Sequence, residues 1–198
     1  MLLATYSNQL YEAGCDEAGR GCLMGPVFAA AVILPAGFSH PKLNDSKKLT
    51  ALMREELRWV IESQAIAWSV AQVDEAEIDK INILNASIKA MHLALQNLAQ
   101  QPDFILVDGN RFKPYKQIPH QCIVKGDATY ASIAAASVLA KTHRDAYVLQ
   151  MHEHYPEYGW AQNKGYGTAM HIKAIDRLGL TPLHRRSFVV KKQLKLLL

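Results

Sequence analysis

Cysteine is scarce: three in 198 residues, an odd number at spacings that suit neither a disulfide framework nor a zinc site. That excludes the stapled secreted scaffolds and points to a reducing compartment, the cytoplasm. Long apolar runs are missing too. No stretch approaches the roughly 18 to 20 consecutive apolar residues of a membrane span. The opening MLLATYSNQLYEAG has no basic start, no continuous apolar core and no small-residue cleavage site, so no signal peptide is expected. Repeats, low-complexity tracts and Pro/Gly-rich linkers are also absent, so one domain over residues 1–198 is expected. Three phosphate- or acyl-handling signatures are lacking as well. Gly19-Arg20-Gly21 has no third glycine and no following helix for a dinucleotide fingerprint. Gly21 to Gly25 lacks the Gly-Lys-Ser/Thr of a P-loop, and no Gly-x-Ser-x-Gly elbow occurs.

What is present has the bulk balance of a globular protein that can bury a substantial core, 49% hydrophobic and 20% charged. Charge is the uneven feature. The net value is only +4, yet residues 1–110 hold 8 Lys/Arg against 13 Asp/Glu and residues 111–198 hold 14 against 5. A basic half suits a phosphate backbone, whose neutralisation releases counterions, although many proteins are this lopsided by chance.

Periodicity predicts the elements. Leu10–Asp16 reads as a strand broken by Gly19, Gly21, Gly25 and Pro26, and Val27–Leu34 as a buried strand. A helix follows Thr50, with Met53, Leu57, Val60 and Ile61 on one face. Ile66, Trp68 and Val70 mark a third strand. Asn82–Gln101 is the clearest helix, with Asn82 as N-cap and Leu84, Ile88, Met91, Leu95 and Leu98 as its stripe. Strands at Phe104–Val107 and Gln121–Val124 follow, then an Ala/Ser-rich helix from Ala128 to about Tyr147, small enough to approach its neighbours closely. A last helix, Thr168–Leu178, closes on Gly179. The order predicts an α/β fold with a mixed sheet, early strands antiparallel and later ones parallel.

Four acids sit where a strand ends or a helix begins: Asp16, Glu17, Asp108 and Asp127. Carboxylates sharing one small site raise each other's pKa unless a cation neutralises them. Oxygen-only donors select Mg²⁺ or Mn²⁺, and such a site suits two-metal phosphoryl chemistry. Type and position alone leave a second reading equally open, in which Asp108 and Asp127 are turn and cap residues.

Cys15-Asp16-Glu17-Ala18-Gly19-Arg20-Gly21, continued by Gly25-Pro26-Val27, resembles the signature of the type 2 ribonucleases H, the ribonuclease HII family. Asn44-Asp45-Ser46-Lys47-Lys48-Leu49, Val107-Asp108-Gly109-Asn110, Lys125-Gly126-Asp127, Ala135-Ala136-Ser137-Val138-Leu139-Ala140-Lys141, Gly165-Tyr166-Gly167-Thr168 and His184-Arg185-Arg186-Ser187-Phe188 resemble further family blocks, in family order. The resemblance implies a ribonuclease H-like fold, a mixed five-stranded sheet flanked by helices, with a small helical C-terminal extension at about 150–198. It implies that Asp16, Glu17, Asp108 and Asp127 are the catalytic metal ligands for Mg²⁺ or Mn²⁺. The cut would fall 5′ of a ribonucleotide in an RNA/DNA hybrid or in duplex DNA, leaving a 5′-phosphate and a 3′-hydroxyl. Gly19, Arg20 and Gly21 would meet the 2′-hydroxyl, which is what separates RNA from DNA, and glycine backbone permits that approach. Tyr166 would pack on the sugar of the next nucleotide. Ser46 and Lys47 would hold phosphates, with Lys141, Lys164, Arg185, Arg186 and His184 as looser candidates. Cys22 and Met24 stand where the family more often has Pro and Ala, which implies altered packing there.

Two rival readings remain at this stage. One is a non-catalytic nucleic-acid-binding protein on the same scaffold. The other is a type 3 ribonuclease H acting on longer RNA tracts, which typically carries an extra N-terminal domain; about 15 residues precede Asp16, too few for one. A monomer is expected. The end of the chain, Gln193, Leu194, Lys195, Leu196, Leu197, Leu198, resembles the short peptides that dock on sliding clamps, or else it packs on its own domain.

Overall fold

The computed structural model describes residues 2–7, 9–44, 46 and 49–188. Lys47 and the tail residues Gln193, Leu194, Leu196 and Leu197 therefore lie outside the described residues. Five strands, β1 (Glu12–Ala18), β2 (Val27–Ile33), β3 (Ala67–Val73), β4 (Phe104–Asp108) and β5 (His120–Ile123), form one sheet in the order β3-β2-β1-β4-β5. β1 to β3 pair antiparallel, while β4 runs parallel to β1 and β5 parallel to β4. This is the mixed five-stranded sheet expected, with the antiparallel and parallel halves where the chain order placed them.

The sheet is covered on both faces, which is why β2 reads as an unbroken apolar run. Ala29, Ala31 and Ile33 join Ala13, Cys15, Ile105 and Val107 in a core against α3 (Ile83–Gln96). Ala30 and Val32 face the other way, toward α1 (Ala51–Gln64) and α4 (Ala131–His154). Helix starts follow local chemistry. Thr50 Oγ1 accepts the Met53 N–H at 3.2 Å, and Asn82 Oδ1 accepts from Leu84 and Asn85.

Several boundaries differ from the periodicity reading. β1 runs on to Ala18, because pairing with β2 carries the strand through the acids to the glycine turn. α3 stops at Gln96, short of Gln101. α2 (Glu75–Ile81) was not anticipated; its cap is Asp74, whose Oδ1 accepts the Glu77 N–H at 2.8 Å. α4 starts three residues later than expected, after a single 3-10 turn at Gly126–Ala128, and continues to His154.

Beyond α4 the chain folds back through a 3-10 turn (Pro156–Tyr158), α5 (Trp160–Asn163) and α6 (Ala169–Leu178). These elements enclose a separate cluster in which Tyr158, Trp160, Ala174 and Ile175 pack on Leu23, Met24 and Val148. The segment 22–25 is gripped from both sides. Leu23 N–H donates to the Gly165 carbonyl at 2.8 Å, and Gly25 N–H to that of Leu183 at 2.9 Å. Cys22 and Met24 are fully buried there, which is how this chain uses its two departures from the family pattern.

Candidate active site

β1 is the middle strand of the sheet, and its C-terminal end carries the site. Cys15 faces Val107 across the parallel pair, so one residue further on Asp16 stands beside Asp108. Successive strand residues point to opposite faces. Asp16 accordingly lies on the α4 side and Glu17 on the α3 side, and the pair straddles the sheet edge. A hollow of about 340 Å³ opens over that edge, lined by Asp16, Glu17, Asp108, Gly19, Tyr166 and Lys141 among others. A second one, of about 200 Å³, lies against the α3 face and shares Glu17, Arg20 and Asp108 with the first.

Asp127 does not line either hollow. It is buried in the 3-10 turn after β5, and that turn is tied to the site through Gly126, whose N–H donates to Asp108 Oδ1 at 2.7 Å. The structure therefore brings three of the four predicted carboxylates to one cavity and sets the fourth just behind Asp108.

Asp16 is 5% exposed, and its pKa is raised well above the ordinary carboxylate range. Burial is the main cause, followed by the facing charges of Glu17 and Asp108; the Ser137 hydroxyl and the Glu17 N–H hold it down by hydrogen bonding. The contrast is Glu12, equally buried at the other end of β1. Its oxygens accept from the Tyr6 and Ser7 N–H groups and the Ser7 hydroxyl, so its charge is satisfied by its own chain. Among the described residues no three His, Cys, Asp or Glu side chains form a ready-made metal cage. Glu17 is turned to Arg20 at 2.9 Å. The donor set still fits a hard divalent cation, being all oxygen and short of positive charge at Asp16.

Sequence reasoning gave no role to Ser137. It lies on α4, donates toward Asp16, and sits 2.8 Å from the Ser46 hydroxyl, so Ser46 reaches the site through it. Ser46 is buried and lines the hollow. Lys141, one turn along α4, also lines it, with Nζ 2.8 Å from Asp145. Ser137, Lys141 and Arg144 recur at helical spacing on an otherwise Ala-rich helix, and that polar stripe was the available signal.

The Gly19–Gly21 turn is set by two buried arginines. Gly19 has φ +92°, and a Cβ there would overlap the Arg144 side chain. Arg144 in turn donates to the Lys164 carbonyl at 2.8 Å and lies over the Tyr166 ring. Arg185 donates to the carbonyls of Gly25 and Arg20 at 2.8 and 3.0 Å. Burial lowers its pKa to about 10, so it stays charged at neutral pH. Arg185 is thus a buried brace for the turn, not the exposed phosphate contact that sequence reasoning entertained. Tyr166 is 43% exposed and lines the hollow.

His184 is neither a phosphate donor nor a surface residue. It is 2% exposed, its Nδ1 accepts the Thr181 N–H at 2.9 Å, and His171, Tyr158 and Trp160 face it. Burial and then the neighbouring His171 push its pKa down from 6.5 to about 4. The folded state thus favours the neutral ring, while the unfolded chain takes up a proton below about pH 6.5. Stability from this group is present above that value and is lost as pH falls toward 4. Urea unfolding at pH 7 and pH 4.5 should differ by roughly 2 kcal/mol more in the wild type than in His184→Asn; equal losses would show that the ring titrates normally.

The sequence profile of Ribonuclease HII matches residues 13–191. The ribonuclease HII of Porphyromonas gingivalis is 58% identical over 189 residues, covering 95% of this chain and 94% of that protein. Among solved structures, the ribonuclease H2 of Pyrococcus horikoshii superposes with a TM-score of 0.77 at 25% identity, covering 93% of this chain and 98% of its own. Bst ribonuclease HIII in complex with Mn²⁺ shares the fold at a TM-score of 0.70 and 18% identity, covering 95% of this chain and 70% of its own.

Proposed function

The chain belongs to the ribonuclease HII family and is by that membership a ribonuclease H-type endonuclease; from this premise we propose which residues make its cut and how it chooses the position. Asp16, Glu17, Asp108 and Asp127 would hold the divalent cation, the first three from the hollow and Asp127 from the 3-10 turn whose Gly126 N–H donates to Asp108. The observation that carries this is the convergence of three carboxylates on one cavity, where burial and the charges of the other two raise the pKa of Asp16. The cation is Mg²⁺ or Mn²⁺; the oxygen donors accept both, and the structural neighbour solved with Mn²⁺ makes manganese a reasonable probe. When bound, such ions supply an activated water and a counter-charge for the leaving oxygen.

The protein's own groups do the rest. Ser137 orients Asp16, and Arg20 neutralises Glu17 when no cation is present. The bare backbone of Gly19 and Gly21 receives the 2′-hydroxyl, with Tyr166 closing on the following sugar. On this reading the enzyme hydrolyses the phosphodiester 5′ of ribonucleotides, in RNA/DNA hybrids and at single ribonucleotides in duplex DNA, and leaves 5′-phosphate and 3′-hydroxyl ends. It works as a monomer in the cytoplasm, the reducing compartment that its free cysteines suit. A type 3 enzyme is not favoured, since the family profile and the 58% identical relative are both ribonuclease HII.

Cleavage of a duplex with one ribonucleotide, of an RNA/DNA hybrid and of plain DNA, titrated with each metal, tests the proposal. The first two should be cut with 5′-phosphate products and the third left intact; cleavage of plain DNA, or no metal requirement, would refute it. Tyr166→Ala should lose roughly tenfold in kcat/KM at a lone ribonucleotide, the scale of one lost stacking contact. It should lose far less where a second ribonucleotide follows, which narrows the preference between the two.

A further inference from the structure

Tyr166 rises from a turn that the chain does not favour unaided. Lys164 and Gly165 both lie in the left-handed region, at φ 48° and 78°, and a lysine held there persists only when its surroundings over-determine it. Three hydrogen bonds fix the backbone of Tyr166. Its N–H donates to the Asn163 carbonyl at 2.9 Å, and its own carbonyl accepts the Thr168 N–H at 2.8 Å. The third partner is a side chain: His171 Nδ1, on the first turn of α6, stands 3.0 Å from the same carbonyl.

A chain of buried rings decides what that nitrogen does. His171 Nε2 is 2.9 Å from Trp160 Nε1 and 3.1 Å from His184 Nε2. An indole N–H only donates, so His171 Nε2 accepts. At the far end the Thr181 N–H donates to His184 Nδ1, which places the proton of a neutral His184 on Nε2, directed at His171. With its Nε2 lone pair engaged, His171 carries its own proton on Nδ1 and donates it to Tyr166. One main-chain amide and one indole thus set the tautomer of both rings, and all three rings are at most 2% exposed.

We propose that His171 is a positioning residue for the cleavage reaction, holding the Gly165–Gly167 turn through its Nδ1–H so that the preference set by Tyr166 depends on a side chain that does not reach the cavity. The inference rests on the reading of Tyr166 given above. The plain competitor is a core histidine that contributes stability alone.

Two substitutions separate these roles, since an asparagine amide reaches the Nδ1 position and a glutamine amide the Nε2 position. For each variant, kcat and KM are measured on duplexes in which a lone ribonucleotide is followed by a deoxynucleotide or by a second ribonucleotide, together with the melting temperature. His171→Gln should narrow the ratio of the two kcat/KM values about fivefold, the scale of one net hydrogen bond. His171→Asn should keep the ratio close to wild type although it also melts lower. Unchanged ratios in both variants, equal losses in both, or the reverse order would overturn the proposal. Tyr166→Ala runs alongside: an unchanged ratio there refutes the role of Tyr166 itself, whereas a changed ratio with His171→Gln unaffected refutes only the role of His171. The wild-type protein gives a check that no folding defect can obscure. Nitrogen-15 spectra of the imidazoles should show His171 protonated at Nδ1 and His184 at Nε2; the opposite tautomer at His171 would end the idea.

Discussion

Asp16→Asn should lower cleavage by a factor on the order of 10³, the scale for removing one preorganised charge from an active site, while duplex binding survives and the metal-free protein becomes more stable. The two effects have one cause. Asp16 is buried within reach of the charges of Glu17 and Asp108, and both burial and repulsion disfavour its own charge. An amide of the same shape keeps the Ser137 partnership and removes the repulsion, so in a chelator the variant should melt higher. A gain of about 1 kcal/mol corresponds to roughly 3 °C in a chain of this size. Added Mg²⁺ should raise the melting temperature of the wild type and barely move that of the variant. Undiminished cleavage would sink the assignment of Asp16. A variant that loses activity and also melts lower in chelator would show that the carboxylate serves the fold and not the cation.

The second large effect comes from a residue with no chemistry at all. Gly14→Ala should cost about 3 kcal/mol, the upper range for overpacking a core, and lower the melting temperature by roughly 9 °C. Gly14 is on β1, on the face toward α4. A Cβ there would lie well under 3.0 Å from the Ser132 carbonyl carbon and oxygen and from the Ile133 nitrogen. These are main-chain atoms of the first turn of α4, so no rotamer change relieves the overlap; strand and helix must part. Asp16 is two residues along the same face, and Ser137 is on the same helix, so separation pulls the Asp16–Ser137 contact apart. Activity per folded molecule should therefore fall as well. Urea unfolding and single-turnover cleavage check the two halves, and a loss under about 1 kcal/mol would show that strand and helix are not held at this distance.

Gly14 also shows where sequence reading stops. The Ala/Ser composition of α4 announced a helix that comes close to something, and Val27–Ile33 announced a strand buried on both sides. Neither said that the partner is β1, because close approach is a relation between segments more than a hundred residues apart. The same limit appears around the blocks that resemble the family. Ser137, Arg144 and Arg185 stood in or near quoted motifs, yet the first went without a role, the second unremarked and the third was read as a phosphate contact. Their charges and hydroxyls point inward, and direction is a tertiary property. The α2 helix was missed for a more local reason: seven residues give too few turns for a clear apolar period.

Legible in the chain alone are the family, the order of the five strands and the four longest helices, and the acids proposed for the chemistry. These follow from residue type, spacing and turn-forming glycines, all of which act within a few positions along the chain. The placement of the four acids relative to one another is a tertiary matter. Adjacent on a strand, Asp16 and Glu17 must face opposite sides of the sheet, and parallel pairing with β4 brings Asp108 to the same edge while Asp127 stays behind it. On the proposed reading, the side chains that hold the Gly19–Gly21 turn and Tyr166, namely Arg144, Arg185 and His171, are buried. Burial is what gives those groups their leverage. Out of water, each polar atom has only the fixed partners packed against it, and the positions of the ring protons in the chain from Thr181 to Tyr166 follow from them.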